Sequence, residues 1–192
     1  MMSILSESLS RIRKAMTDGK HPALFEVKIK TIYRLRKRYG TEIFIETGTY
    51  LGDTLNRAKD MFASVISIEL DTDLFIAAQR RFAQYRNVRL YKGDSGVILP
   101  TVINELVEPA LFWLDGHYSG GITARGQIDT PIVKELQAIM SHPVRRHVIL
   151  IDDARLFDGT NNYPVQKAVF ELATKNGYRS SIKDDMITII PK

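Results

Sequence analysis

The chain contains no cysteine. That excludes a disulfide scaffold, a thiolate zinc site, an iron–sulfur cluster and cysteine-nucleophile chemistry. No apolar run approaches the ~20 residues that span a bilayer. Near the N-terminus Ile4, Leu5, Leu9, Ile12 and Met16 recur at helical spacing, and charge follows the apolar residues instead of preceding them. That is not the order of a secretory signal, so a cytoplasmic chain without a membrane span is expected. Glycine and proline are sparse, at 12 and 7 of 192 residues, which excludes collagen-like repeats. With 44% hydrophobic and 26% charged residues, the composition is that of an ordinary globular chain.

Charge is unevenly placed. Residues 1–40 carry 10 Lys or Arg against 3 Asp or Glu, whereas the rest of the chain is slightly acidic. The densest piece is Tyr33-Arg34-Leu35-Arg36-Lys37-Arg38-Tyr39. One reading is a patch for phosphate, nucleic acid or anionic lipid. The other is the solvated face of a helix that buries Val27, Ile29, Ile32 and Leu35, and this reading is preferred. Residues 1–40 are therefore expected to form a basic helical N-terminal extension to a domain over 41–192. The same amphipathic segment leaves packing on a second copy, as a homodimer, open.

From residue 41 onward, short apolar β-branched runs alternate with helical patterns. Strands are predicted at 43–47, 64–70, 88–91, 110–114 and 148–151. Helices are predicted at 51–62, around Leu74, Phe75, Ala78 and Phe82, at 97–106 and at 131–140. Thr130 would cap the last of these, with Pro131 in its first turn. Such alternation predicts an α/β fold: a Rossmann-like, doubly wound, mainly parallel sheet. The end breaks the pattern. After a helix around Val165, Ala168, Val169 and Leu172, residues 178–182 and 186–190 flank Lys183-Asp184-Asp185, the spacing of an antiparallel hairpin.

Open parallel sheets bind ligands beyond the C-terminal ends of their strands. The residues there are polar at all five predicted strand ends. The first strand leads into Glu46-Thr47-Gly48-Thr49-Tyr50-Leu51-Gly52-Asp53-Thr54, and the second ends in Glu69. The third is followed by Gly93-Asp94-Ser95, the fourth by Asp115-Gly116-His117-Tyr118, and the fifth by Asp152-Asp153. A carboxylate at the end of the second strand can accept hydrogen bonds from both ribose hydroxyls of a nucleoside cofactor.

E-T-G-T-Y-L-G (46–52), I-E-L-D (68–71), G-D-S (93–95) and the terminal hairpin resemble the class I S-adenosylmethionine-dependent methyltransferases. The resemblance covers residues 40–192. It implies that Glu46, Gly48 and Gly52 surround the methionine part of the donor, with Thr47, Thr49, Tyr50 and Thr54 also among the donor-binding residues. Glu69 would hold its ribose, Asp94 and Ser95 would border its adenine, and Asp115 would lie at its edge. The glycine spacing is not the G-x-G-x-x-G of dinucleotide enzymes, which disfavours an NAD-dependent oxidoreductase.

Asp115, Asp152 and Asp153 follow two strands expected to be neighbours, ~4.8 Å apart. Like charges held together call for a cation, and hard oxygen ligands with no cysteine suit Mg²⁺ or Ca²⁺. The arrangement resembles the metal-dependent macrocin-type sugar O-methyltransferases, with an aspartate after the fourth strand and an Asp-Asp pair after the fifth. That resemblance implies an acid two residues after Asp115, where this chain has His117, leaving the identity of the base open. Tyr118, Arg125 and Arg155, in the loops after the fourth and fifth strands, are the expected substrate contacts, with Arg125 suited to a phosphate or carboxylate. Phe157 and Tyr163 can stack on a ring, whereas Trp113 reads as core.

The expected function is S-adenosylmethionine-dependent, Mg²⁺-assisted methylation of a hydroxyl on a sugar, a glycan or a glycosylated small molecule. Two other readings stay open. The basic N-terminal region would serve a nucleic-acid methyltransferase or nucleic-acid-binding protein. The missing acid at position 117 would suit a non-catalytic donor-binding module.

Overall fold

Strands need two apolar faces to sit inside a doubly covered sheet, and these strands have them. In the computed structural model, which describes residues 22–116 and 130–192, seven strands form one sheet. They are β1 (Ile43–Thr47), β2 (Ser64–Glu69), β3 (Val88–Lys92), β4 (Ala110–Leu114), β5 (Val148–Ile151), β6 (Tyr178–Lys183) and β7 (Met186–Pro191). Their order is β3-β2-β1-β4-β5-β7-β6. The first five pair in parallel, and β7 runs antiparallel to both β5 and β6.

Side chains alternate across the sheet with period two. Phe44, Leu111, Trp113, Val148 and Leu150 point to one face, where helices α1 (Phe25–Tyr39), α2 (Asp53–Ala58) and α3 (Thr72–Phe82) pack. Ile45, Phe112, Leu114, Ile149 and Ile151 point to the other, covered by α4 (Ser95–Ile103), α5 (Ile132–Ser141) and α6 (Gln166–Lys175). Nearly every residue of β1, β4 and β5 is buried, so the apolar runs read as continuous. No helix among the described residues is long and apolar enough to cross a membrane.

The basic stretch at residues 25–39 is α1. Ile29, Ile32 and Leu35 are buried in the same core cluster as Phe44 and Trp113, while Lys30, Arg34, Lys37 and Arg38 face solvent. This helix, within the span read as an extension, therefore packs on the sheet. Its end is set by Gly40, which takes the left-handed conformation at φ 65° and donates its N–H to the Arg36 carbonyl.

Helix boundaries differ from the sequence reading for local reasons. The helix expected over 51–62 is only Asp53–Ala58, because Tyr50 and Gly52 adopt positive φ and delay its start. The helix expected from residue 97 begins at Ser95, where the Asp94 carboxylate accepts the Gly96 N–H at 2.8 Å and caps it. The closing hairpin turns on Asp184 and Asp185, both at positive φ, a two-residue turn of the mirror-image type that suits twisted strands.

Candidate active site

β1 pairs with β2 on one side and β4 on the other, so successive connections leave it in opposite directions. That reversal opens a crevice at the C-terminal ends of β1 and β4. Gly48 stands in it at φ 81°, donating its N–H to the Ile68 carbonyl at 2.9 Å. A Cβ on Gly48 would lie 2.5 Å from the backbone oxygen of Asp115, so only glycine lets the two strand ends approach this closely. Gly116 is less tightly held on the other side, its Cβ position 3.1 Å from Thr47 Oγ1 and 3.2 Å from Ser95 Oγ. Three strand-end segments thus converge: Thr47-Gly48, Asp94-Ser95 and Asp115-Gly116.

Glu69 forms one wall. It is almost fully buried, and its two oxygens accept backbone N–H groups from Tyr50 and Asp71, each at 2.8 Å. Each carboxylate oxygen has a second lone-pair direction, so capacity for two ligand hydroxyls remains. The Tyr50 contact also ties the Gly48–Gly52 loop to β2. Asp94 spends one oxygen on capping α4, which fixes Ser95 and the start of that helix beside the crevice.

Beneath the loop lies a buried polar chain. Ser67 Oγ donates to Glu46 Oε2 at 2.6 Å, and Thr49 Oγ1 is 2.6 Å from Ser67 Oγ. Burial pushes the Glu46 carboxyl up to about 8, and the like charges of Asp115 and Glu69 add to this against the stabilising Ser67 hydroxyl. The unfolded chain releases this proton near pH 4.5, while the folded chain keeps it until about 8. Stability from this group is therefore complete below 4.5 and falls as pH rises to 8. Glu46→Gln should flatten that slope, gaining a few kcal/mol over wild type at pH 8 relative to pH 4.5, about 5 at most. Urea unfolding at the two pH values reads this directly; parallel pH profiles for wild type and variant would show that Glu46 is ionised in the folded chain.

Two of the aspartates expected to hold a metal, Asp152 and Asp153, have other partners. Asp152 is buried, with Oδ2 against the Lys28 ammonium of α1. Among the described residues its Oδ1 has no hydrogen-bond partner. Asp153, at φ 53°, accepts from the Arg155 guanidinium at 2.7 Å. Arg155 also pairs with buried Asp185 of the β6–β7 turn, and its own N–H bonds Asp185 Oδ1 at 2.8 Å. Among the described residues no three His, Cys, Asp or Glu side chains gather as a metal-ligand group. The set Asp115, Asp152 and Asp153 therefore does not fit Mg²⁺ as it stands. Arg155, expected to contact substrate, is instead a strut between the β5 loop and the terminal hairpin.

A cavity beside Asp152 is lined by Leu114, Gly116, Thr130, Glu135, Phe157 and Tyr163. Phe157 and Tyr163 pack edge to face at 5.2 Å, and both are buried. Thr54 is half-buried within the short α2, one turn from the Gly48 loop. His117, Tyr118 and Arg125 lie outside the described residues.

Four residues of this region were not singled out from sequence: Lys28, Ser67, Glu135 and Asp185. Two had a legible signal. Lys28 falls in line with Ile32 and Leu35, and Glu135 with Ile132, Leu136 and Ile139, so each places a charge inside an apolar helical stripe. Such a charge is costly unless it is paired, and Lys28 is.

No protein-family model matches the chain, and no curated protein sequence matches it. Solved structures do. The O-methyltransferase TomG from Streptomyces achromogenes, involved in tomaymycin synthesis and solved with S-adenosylmethionine, superposes with a TM-score of 0.63 at 15% identity, covering 90% of this chain and 83% of that one. An O-methyltransferase from Bacillus cereus in complex with S-adenosylhomocysteine gives 0.61 at 18% identity over 99% and 91%. The 23S rRNA methyltransferase ErmE gives 0.54 at 13% identity over 85% and 68%. Likeness at these identities establishes architecture: the chain has the Rossmann-like α/β fold of methyltransferases, with its antiparallel terminal hairpin.

Proposed function

We propose that this chain transfers a methyl group from S-adenosylmethionine to a hydroxyl oxygen, with a sugar or a glycosylated small molecule as acceptor. The observation that carries this reading is Glu69 at the end of β2, both oxygens fixed by backbone N–H groups, one of them from Tyr50 in the loop that begins at Gly48 beside Asp115. When bound, the donor supplies an electrophilic methyl group on a sulfonium that is already a good leaving group. The protein's part is then binding, alignment and exclusion of water.

Each residue has a share in that. Glu69 accepts the ribose hydroxyls. Glu46, Thr47 and Gly48 line the methionine end, where the unpartnered buried Thr47 hydroxyl is available to the ligand. Asp94 and Ser95 border the base. On the acceptor side, Asp152 Oδ1 is an unused buried acceptor beside the cavity and suits a substrate O–H. The bound donor and product in two of the superposed O-methyltransferases support the donor assignment. His117 and Asp115 are the proposed catalytic pair, and Tyr118 and Arg125 the proposed acceptor contacts.

The exposed basic residues of α1 keep a nucleic-acid acceptor as the second reading, and the rRNA methyltransferase likeness is consistent with it. Transfer of labelled methyl groups from S-adenosylmethionine separates the two. A sugar panel should accept label and RNA should not; label in RNA alone would overturn the sugar assignment.

A further inference from the structure

A buried aspartate at a strand end needs a cation, and this chain brings one to Asp152 from another part of its sequence. Lys28 lies 124 residues before Asp152. It sits on the buried face of α1, and its side chain is 18% exposed. Its ammonium contacts Asp152 Oδ2, is within electrostatic reach of Asp115 and Asp153, and lies 5.9 Å from the Trp113 ring. Helix α1 holds it there by burying Ile29, Ile32 and Leu35 against β4 and β5.

We propose that Lys28 is the built-in cation of Asp152, with Asp115 and Asp153 in its electrostatic reach, and that it occupies the place a divalent ion would otherwise take. A Mg²⁺ ion needs about six oxygens in near-octahedral array. Here one oxygen of Asp152 faces an ammonium, Asp153 faces Arg155, and no three acids gather among the described residues. A tethered cation also competes with a free ion at an effective concentration of about mM or more. The methyl-transfer site then works without added metal. Lys28 acts as a positioning residue that holds Asp152 by its Oδ2 where that residue lines the cavity.

The inference rests on the strand-end site proposed above, but not on which hydroxyl is methylated. Mn²⁺ binding, read by loss of the free-ion electron paramagnetic resonance signal, tests it on the full chain. Wild type should show no site that depends on Asp152. Lys28→Ala and the shorter, uncharged Lys28→Gln should each gain Mn²⁺ affinity by about tenfold or more, because Asp152 loses its counter-charge. Asp152→Asn in the Lys28→Ala background should remove the gain.

Two results would overturn the proposal. One is a wild-type Mn²⁺ site abolished by Asp152→Asn, which stands as a test even if both Lys28 variants fail to fold. The other is no gain in either Lys28 variant when thermal unfolding shows that it is folded. Calorimetry with S-adenosylhomocysteine on the same samples reads the donor site separately. Its failure would strike the methyl-transfer reading and leave the cation assignment standing.

Discussion

Glu69→Ala should weaken S-adenosylmethionine binding by about 100-fold. A hydrogen bond to a charged group contributes roughly 1.5–3 kcal/mol, and the ribose offers two hydroxyls to this carboxylate. The substitution also frees the N–H groups of Tyr50 and Asp71, so the Gly48–Gly52 loop loses its tie to β2. Both effects fall on the donor site. Glu69→Gln should lose less, since its amide oxygen still accepts while its NH₂ faces one of the two backbone donors. Calorimetry measures both constants. An affinity within about threefold of wild type for Glu69→Ala would make Glu69 a strand-end carboxylate that only organises backbone, and the nucleoside assignment would fail.

Gly48→Ala should be among the most damaging single-methyl additions to this chain. The added Cβ would lie 2.5 Å from Asp115 O and 2.9 Å from its carbonyl carbon, and both are backbone atoms of a buried strand end. Neither can swing aside as a side chain would. Alanine is also strained at φ 81°. Together these should cost about 3 kcal/mol or more, lowering the melting temperature by about 10 °C in a chain of this size. Gly40→Ala is the internal control. Gly40 has similar φ, at 65°, but nothing within 4 Å of its Cβ position, so only the conformational cost of about 1–2 kcal/mol applies. Equal losses from the two substitutions would mean that the β1 loop and the β4 end are not pressed together.

Much of this architecture is written locally. The five parallel strands are legible because both faces of β1, β4 and β5 are buried, and the hairpin because Asp184-Asp185 separates two β-rich runs. The carboxylates of the crevice are legible because strand ends are where open sheets bind ligands. The start of α2 was not, since it depends on which residues adopt positive φ.

Pairing across the fold was also hidden. Nothing within ten residues of Asp152 or Lys28 announces the other, because their contact exists only once α1 docks on the sheet. Arg155 illustrates the same point. Its position after β5 suggested a ligand contact, yet the hairpin turn brings Asp185 to it from 30 residues away. A charge inside an apolar stripe was the one local sign of a partner, and it stood at both Lys28 and Glu135.

The donor site is tested most directly by titrating the wild-type chain with S-adenosylhomocysteine, followed by calorimetry and by thermal unfolding. A single saturable site is expected. At a ligand concentration of 100 times its dissociation constant it should stabilise the fold by about 2.7 kcal/mol, a rise in melting temperature of about 5–10 °C. No heat and no shift at saturating ligand would contradict the donor site itself, and with it the assignment of methyl transfer to this crevice.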